Sequence, residues 1–243
     1  MTGIDPYNPL DLEALGDSLL RQLDRQQPHP LSEVPRFLGT GIYALYYCGE
    51  ADPYEELGQY NTETGCSLAI YIGRAKGPGA RRGISPFEPV TQPLLWERIQ
   101  EHKRSISSVA NLDVSHFSVR ALVVMPIWVP LAEAMAIRRY RPLWNVRISG
   151  FGIHAPGGGR QLQRVSEWDQ LHAGRSFAKT LRQTRSKVPE SRLAELRAAI
   201  KADVAEARQR RGLDNPRLSE QPLPQAEQAP RFQSDAAPRS KRR

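Results

Sequence analysis

Cysteine is nearly missing from this chain: 243 residues contain two, Cys48 and Cys66. Neither belongs to a Cys-x-x-Cys pair, which argues against a zinc site of the usual spacing. Long apolar runs are missing too; no stretch approaches the ~20 residues that a membrane helix needs. The N-terminal MTGIDPYNPL has no basic segment followed by an apolar one, so it does not read as a signal peptide. The expected location is the cytoplasm, where two thiols stay reduced. Internal repeats are absent. The glycine-rich GGGR (Gly157 to Arg160) lacks a following GK[ST], which excludes a nucleotide-binding phosphate loop there. Acid is scarce relative to base: 26 Asp and Glu face 34 Lys and Arg, giving a net charge of +8 and a pI near 9.8. That balance favours a polyanionic partner. Nucleic acid comes before membrane, because no strongly apolar amphipathic helix accompanies the charge.

Hydrophobic residues make up 40% of the chain, enough for a packed core. Residues 9 to 23 read as a helix, with Asn8 as cap, Pro9 at the first position and Leu12, Leu15, Leu19 and Leu23 as one stripe. After a polar, proline-containing link come two runs of strand composition, GIYALYY and LAIYIG. Between them Gly49 to Gly65 reads as a long loop. If the runs pair antiparallel with Tyr43 opposite Tyr71, Cys48 falls opposite Cys66. The basic KGPGARRGIS that follows reads as irregular. A helix is expected from about Gln92 to Ser107, with Leu95, Ile99, His102 and Ile106 on one stripe. A strand then runs from His116 to Met125, and a helix from near Pro130 to before Pro142. This order predicts an α+β fold, a small central antiparallel sheet flanked by helices, with helical N- and C-terminal extensions. The expected division is a helical arm (1–37), a core (38–150), a DNA-contacting helical extension (151–212) and a disordered basic tail (213–243). The last predicted helix, Ser191 to Arg211, carries Leu193, Leu196, Ile200 and Val204 on one face.

Several side chains suit phosphodiester hydrolysis, which needs a deprotonated water, neutralised phosphate charge, a stabilised leaving oxygen and fixed geometry. Glu133 is the only acid between Asp113 and Glu167, an interval holding seven arginines. A lone carboxylate in basic surroundings suits magnesium, which uses few protein carboxylates. A first-turn helical glutamate favoured by the macrodipole is the plainer reading. Arg98 and His102 are spaced i, i+4 on one helix face, the first suited to a phosphate and the second to a proton. Tyr43 and Tyr71 are ordinary strand residues by propensity. As a pair beside Arg98 and a cation, they are expected to favour a phenolate.

GIY at 41–43 and YIG at 71–73, followed by Arg98, His102, Glu133 and Asn145, resemble the GIY-YIG nuclease superfamily over roughly residues 38 to 150. The resemblance implies a general base at Tyr43 and a phosphate-orienting phenol at Tyr71. It implies a phosphate-binding Arg98, a metal-binding Glu133, a bracing Asn145 and a His102 that contacts the first tyrosine. The wide spacing of the tripeptides, together with the histidine, resembles the type II restriction enzymes that cut the GC-rich palindrome CCGCGG. It implies magnesium as cofactor, double-stranded DNA as substrate, a homodimer and a partner DNA methyltransferase. The dimer could draw on the Leu12–Leu23 and Leu193–Val204 stripes, which could equally pack on their own subunit. Lys76, or Arg74 just before it, could add a phosphate contact. Arg160, Arg164 and Arg175 could face DNA, since arginine reads guanine bidentately and also binds phosphate. The rivals are a mobile-element or repair nuclease of the same superfamily and a non-catalytic DNA-binding protein.

Overall fold

The computed structural model describes residues 11–77, 85, 87–153, 165–181 and 188–214. The Asn8–Pro9 cap, most of KGPGARRGIS, the GGGR segment with Arg160 and Arg164, and the tail beyond 214 lie outside the described residues.

Helix α1 spans Leu12–Arg25 and begins at Asp11, whose carboxylate accepts from the Glu13 and Ala14 amides. Its buried side is Gly16, Leu20 and Leu23, whereas Leu12 is exposed. The expected leucine stripe is therefore rotated toward Gly16, against which Met135 packs. A two-residue strand β1 (His29–Pro30) leads to β2 (Thr40–Tyr47), α2 (Glu55–Thr64), β3 (Tyr71–Ala75), α3 (Leu94–Ser107), β4 (Phe117–Val124) and α4 (Val129–Tyr140). The predicted loop between the motif strands thus contains a helix. It ends at Gly65 in the left-handed conformation and is pinned by buried Asn61, which bonds Tyr47 and Leu68. Three short or C-terminal helices follow: α5 (Leu143–Val146), α6 (Glu167–Leu171) and α7 (Glu190–Asp214).

The sheet is antiparallel in the order β1-β4-β2-β3. Every residue of central β2 is buried, which is why its sequence reads as a continuous apolar run rather than an alternation. Side chains alternate between two faces. Ile42, Ala44, Tyr46 and Ile72 pack with Leu20 and Leu23 of α1 and Ala132 and Ala136 of α4. Tyr43, Leu45, Tyr47 and Tyr71 pack on the other side with Leu95 and Ile99 of α3, with Trp144, Phe151 and Trp168, and with Leu196 and Ile200 of α7. Of the two stripes considered for a dimer, Leu23 of the first and Leu196, Ile200 and Val204 of the second are buried within their own chain, whereas Leu12 is exposed and Leu15, Leu19 and Leu193 are half-buried. Cys48 and Cys66 are free thiols with Sγ atoms 3.8 Å apart. Two compact units divide the chain after Ala207; of the second, residues 208–214 are described and are helical.

Candidate active site

The motif strands pair with Tyr43 opposite Gly73 and Leu45 opposite Tyr71, two residues away from the expected register. A shift of two keeps both tyrosines on the same face, so they become diagonal neighbours with ring centroids 6.1 Å apart. Close approaches within the sheet explain the glycines of both tripeptides, and the offset accounts for Gly73. A Cβ on Gly73 would lie 2.3 Å from the Tyr43 hydroxyl, and one on Gly41 would lie 2.0 Å from the Leu122 carbonyl of β4. Each glycine sits where a neighbour approaches too closely for a side chain.

Helix α3 delivers the next two groups. Leu95, Ile99 and Ile106 anchor its buried face, and His102 shares that face with no exposed surface. The His102 ring lies 5.7 Å from Tyr43 and 5.1 Å from Tyr71, centroid to centroid. One turn earlier, Arg98 donates to Glu101 at 2.9 Å and to the Gly152 carbonyl at 3.0 Å.

Glu133 approaches from α4, in the opposite layer. It lies past the first turn, so the macrodipole does not account for it. Its carboxylate pairs with Arg74 of β3, and Lys76 and Arg98 also favour its charged form. Burial nevertheless wins and raises its pKa above the ordinary glutamate value. The carboxylate in turn disfavours ionisation of Tyr71, which ties the two groups to one site. Lys76 is exposed at the end of β3.

Asn145 holds β3 from its open edge. Its side chain accepts from the Ile72 amide at 2.8 Å and donates to the Ile72 carbonyl at 2.9 Å, while the Trp144 amide donates to Ile70 at 2.9 Å. Helix α5 thereby satisfies backbone groups that an edge strand leaves unpaired.

The expected phenolate was tied to a cation as well as Arg98, and Arg98 alone does not produce it. Tyr43 is fully buried, and burial followed by the neighbouring Tyr71 pushes its pKa well above the usual 10. Arg98 pulls the other way without prevailing, and the Tyr43 hydroxyl has no well-formed hydrogen bond. Tyr71 is raised as well, by burial first. In the free protein both are neutral phenols, because desolvation outweighs one guanidinium.

Two residues at the centre of this cluster escaped the sequence reading. The Phe151 ring packs 4.4 Å from His102 and 4.8 Å from Tyr71, and Gly152 meets both Arg98 and the Tyr71 hydroxyl. Their only signal was one aromatic between two glycines, at the border of the expected core and the DNA-contacting extension. Arg175 needs correction as a DNA-facing residue. Its side chain is 3% exposed and is bound to Asp169. A buried, fully engaged guanidinium cannot reach a groove.

Tyr43, Tyr71, Arg98, His102 and Glu133 therefore converge from two strands and two helices around the end of β3, with Asn145 behind it. The sequence profile of the Eco29kI GIY-YIG domain, a restriction-endonuclease family, matches residues 35–204, well over half of the chain. The chain belongs to that family. Membership makes it a nuclease, and the antiparallel sheet with flanking helices is the expected GIY-YIG core. The matched span reaches into α7, so the Eco29kI-type domain takes in Phe151, Gly152 and Arg175. No curated protein matches the chain. No described helix is long and apolar enough to cross a membrane.

Proposed function

We propose that this protein is a type II restriction endonuclease that cuts both strands of DNA at a specific site by metal-dependent hydrolysis. The observation that carries the proposal is the convergence of two phenols, a guanidinium, an imidazole and a carboxylate on one strand end. In this reading the Arg98 fork leaves Glu101 to bind the scissile phosphate, and Tyr71 orients it. The Tyr43 hydroxyl receives the attacking water and passes a proton toward the adjacent His102. The water oxygen bonds to phosphorus as the bond to the leaving sugar oxygen breaks.

The residues present fit a magnesium ion. Among the described residues no group of three His, Cys, Asp or Glu side chains could cage a metal. Magnesium needs one or two carboxylates, with waters and substrate phosphate completing its shell. Glu133 would hold it, once Arg74 turns from the carboxylate to the phosphate. A divalent cation there, when bound, stabilises charge on the leaving oxygen.

The net charge of +8 supports DNA as the partner, with Lys76 as a phosphate contact. A GC-rich palindrome, a homodimer with one Glu133 site per strand, a cytoplasmic location and a companion DNA methyltransferase complete the proposal, all by likeness to the type II enzymes. Much of both helical stripes packs within the monomer, which leaves Leu12 as the exposed apolar residue they offer a dimer. The roles of Arg160 and Arg164 as base- or phosphate-contacting residues belong to the same proposal.

The test is magnesium-dependent cleavage of plasmid DNA by wild type and Glu133→Ala. The variant should bind DNA at least as well and cut at least a hundredfold more slowly. Binding by the wild type without cleavage would leave a non-catalytic DNA-binding protein. Cutting by Glu133→Ala within about tenfold of wild type would remove the metal assignment.

A further inference from the structure

Arg175 and Asp169 form the most deeply buried salt bridge among the described residues, with side chains 3% and 2% exposed. Such a pair seldom stabilises a fold more than apolar residues of the same volume, so its position calls for another reason. The guanidinium spends all its donors. Nε and Nη2 bond the two Asp169 oxygens at 2.6 and 2.7 Å. Nη2 also reaches the Gly150 carbonyl at 3.0 Å, and Nη1 the carbonyls of Phe151 and Ile153 at 3.2 and 3.1 Å. Its central carbon, Cζ, lies over the rings of Trp168 and Phe177, 4.5 and 4.7 Å from their centroids. Asp169 is itself fixed by the Ser166 hydroxyl at 2.7 Å.

Three carbonyls of one turn are thus gathered on one cation. That turn starts at Gly150 with φ +109, a conformation that favours glycine. It carries the Phe151 ring onto His102 and Tyr71 and the Gly152 carbonyl onto Arg98. We infer that Arg175–Asp169 is a positioning pair for the candidate active site: through the Gly150–Ile153 turn it sets the His102 ring and the Arg98 fork, and it does not contact DNA. The catalytic half of this inference rests on the nuclease reading; the geometric half does not.

Two variants separate positioning from stability. Arg175→Lys keeps a charge for Asp169 but loses the planar fork. Arg175→Met with Asp169→Leu removes both charges together. Each would be compared with wild type by melting, by the ring resonances of His102 in NMR spectra of histidine-labelled protein, and by binding and single-turnover cleavage of plasmid DNA. The expected result is folded protein with shifted His102 resonances, because the Phe151 ring no longer sits against the imidazole. DNA binding should stay within about threefold, while cleavage at saturating protein falls about 10- to 100-fold, the scale of an ångström-sized misplacement. Unmoved His102 resonances with unchanged cleavage would overturn the inference. Failure of both variants to fold would also overturn it, by assigning the pair to the fold alone. If the wild type cuts no DNA, the nuclease reading fails, and the His102 resonances still decide whether the pair positions the site.

Discussion

Gly73→Ala tests the geometry of the site with a single methyl group. Gly73 faces Tyr43 directly across the β2–β3 ladder, and a Cβ there would sit 2.3 Å from the Tyr43 hydroxyl and 2.4 Å from the carbon bearing it. A relaxed contact between such atoms needs roughly 3.5 Å, so the end of the ring must move by about 1 Å or the strands must part. The ring has little room, being fully buried with Tyr71 and His102 beside it. Two effects oppose each other in stability. Replacing a mid-strand glycine by alanine gains roughly 0.5–1 kcal/mol in chain entropy, while overpacking a filled core costs roughly 1–3 kcal/mol. The second wins, and the variant should melt several degrees lower. The cleavage rate should fall more than the stability, about 10²-fold, because the displaced group is the proposed proton acceptor. Thermal melts and single-turnover cleavage of plasmid DNA measure the two effects. Gly73→Ala should cost less stability in a Tyr43→Ala background than in wild type, because the overlapping ring is gone, with no recovery of rate. A Gly73→Ala protein that melts at or above wild type and cuts at the wild-type rate would refute the reasoning.

Tyr43→Phe should cost ~10²–10⁴ in rate and more than Tyr71→Phe, since only the first is assigned proton transfer. Because burial raises the Tyr43 phenol, wild-type cleavage should climb through neutral into alkaline pH, and pH profiles of both variants check this. Asn145→Ala strips the Ile72 amide and carbonyl of their partner, so it should lower stability by about 1–3 kcal/mol in urea titrations, with Asn145→Asp unable to restore the donor. His172, held neutral by burial with its pKa lowered to about 3, binds Tyr54 at 2.7 Å and Asn111 at 3.1 Å. Its folded pKa lies below its unfolded one. Its stabilising effect is therefore complete above about pH 6.5 and is lost toward pH 3 at up to ~1.4 kcal/mol per unit. His172→Gln should flatten that window in pH-dependent melts.

The sheet and its principal helices were legible because their patterns are strong. Apolar β2, the buried stripe of α3 and the proline that ends α4 each leave one interpretation. Helix α2 was not legible, since EELGQYNTET shows a mainly polar surface and only Leu57, Gly58, Tyr60 and Asn61 are buried. The register of Tyr43 against Gly73 was hidden for the same reason: a helix joins the strands, so no tight turn sets their alignment. The convergence of Arg98 and His102 followed from helical spacing. Arg74 beside Glu133 did not, because it depends on how α4 lies on β3. Arg175 looked like a surface cation in a glycine- and arginine-rich stretch. Its burial depends on an aspartate six residues back and on carbonyls of a turn more than twenty residues earlier, which no local pattern records.

The most direct measurement is to digest a sequenced plasmid library with purified wild-type protein and magnesium, with Glu133→Ala in parallel, and to map every new DNA end. The account predicts wild-type ends on both strands at one recurring palindrome, and none from Glu133→Ala under the same conditions. Scattered ends, no ends, or the same ends from Glu133→Ala would contradict it.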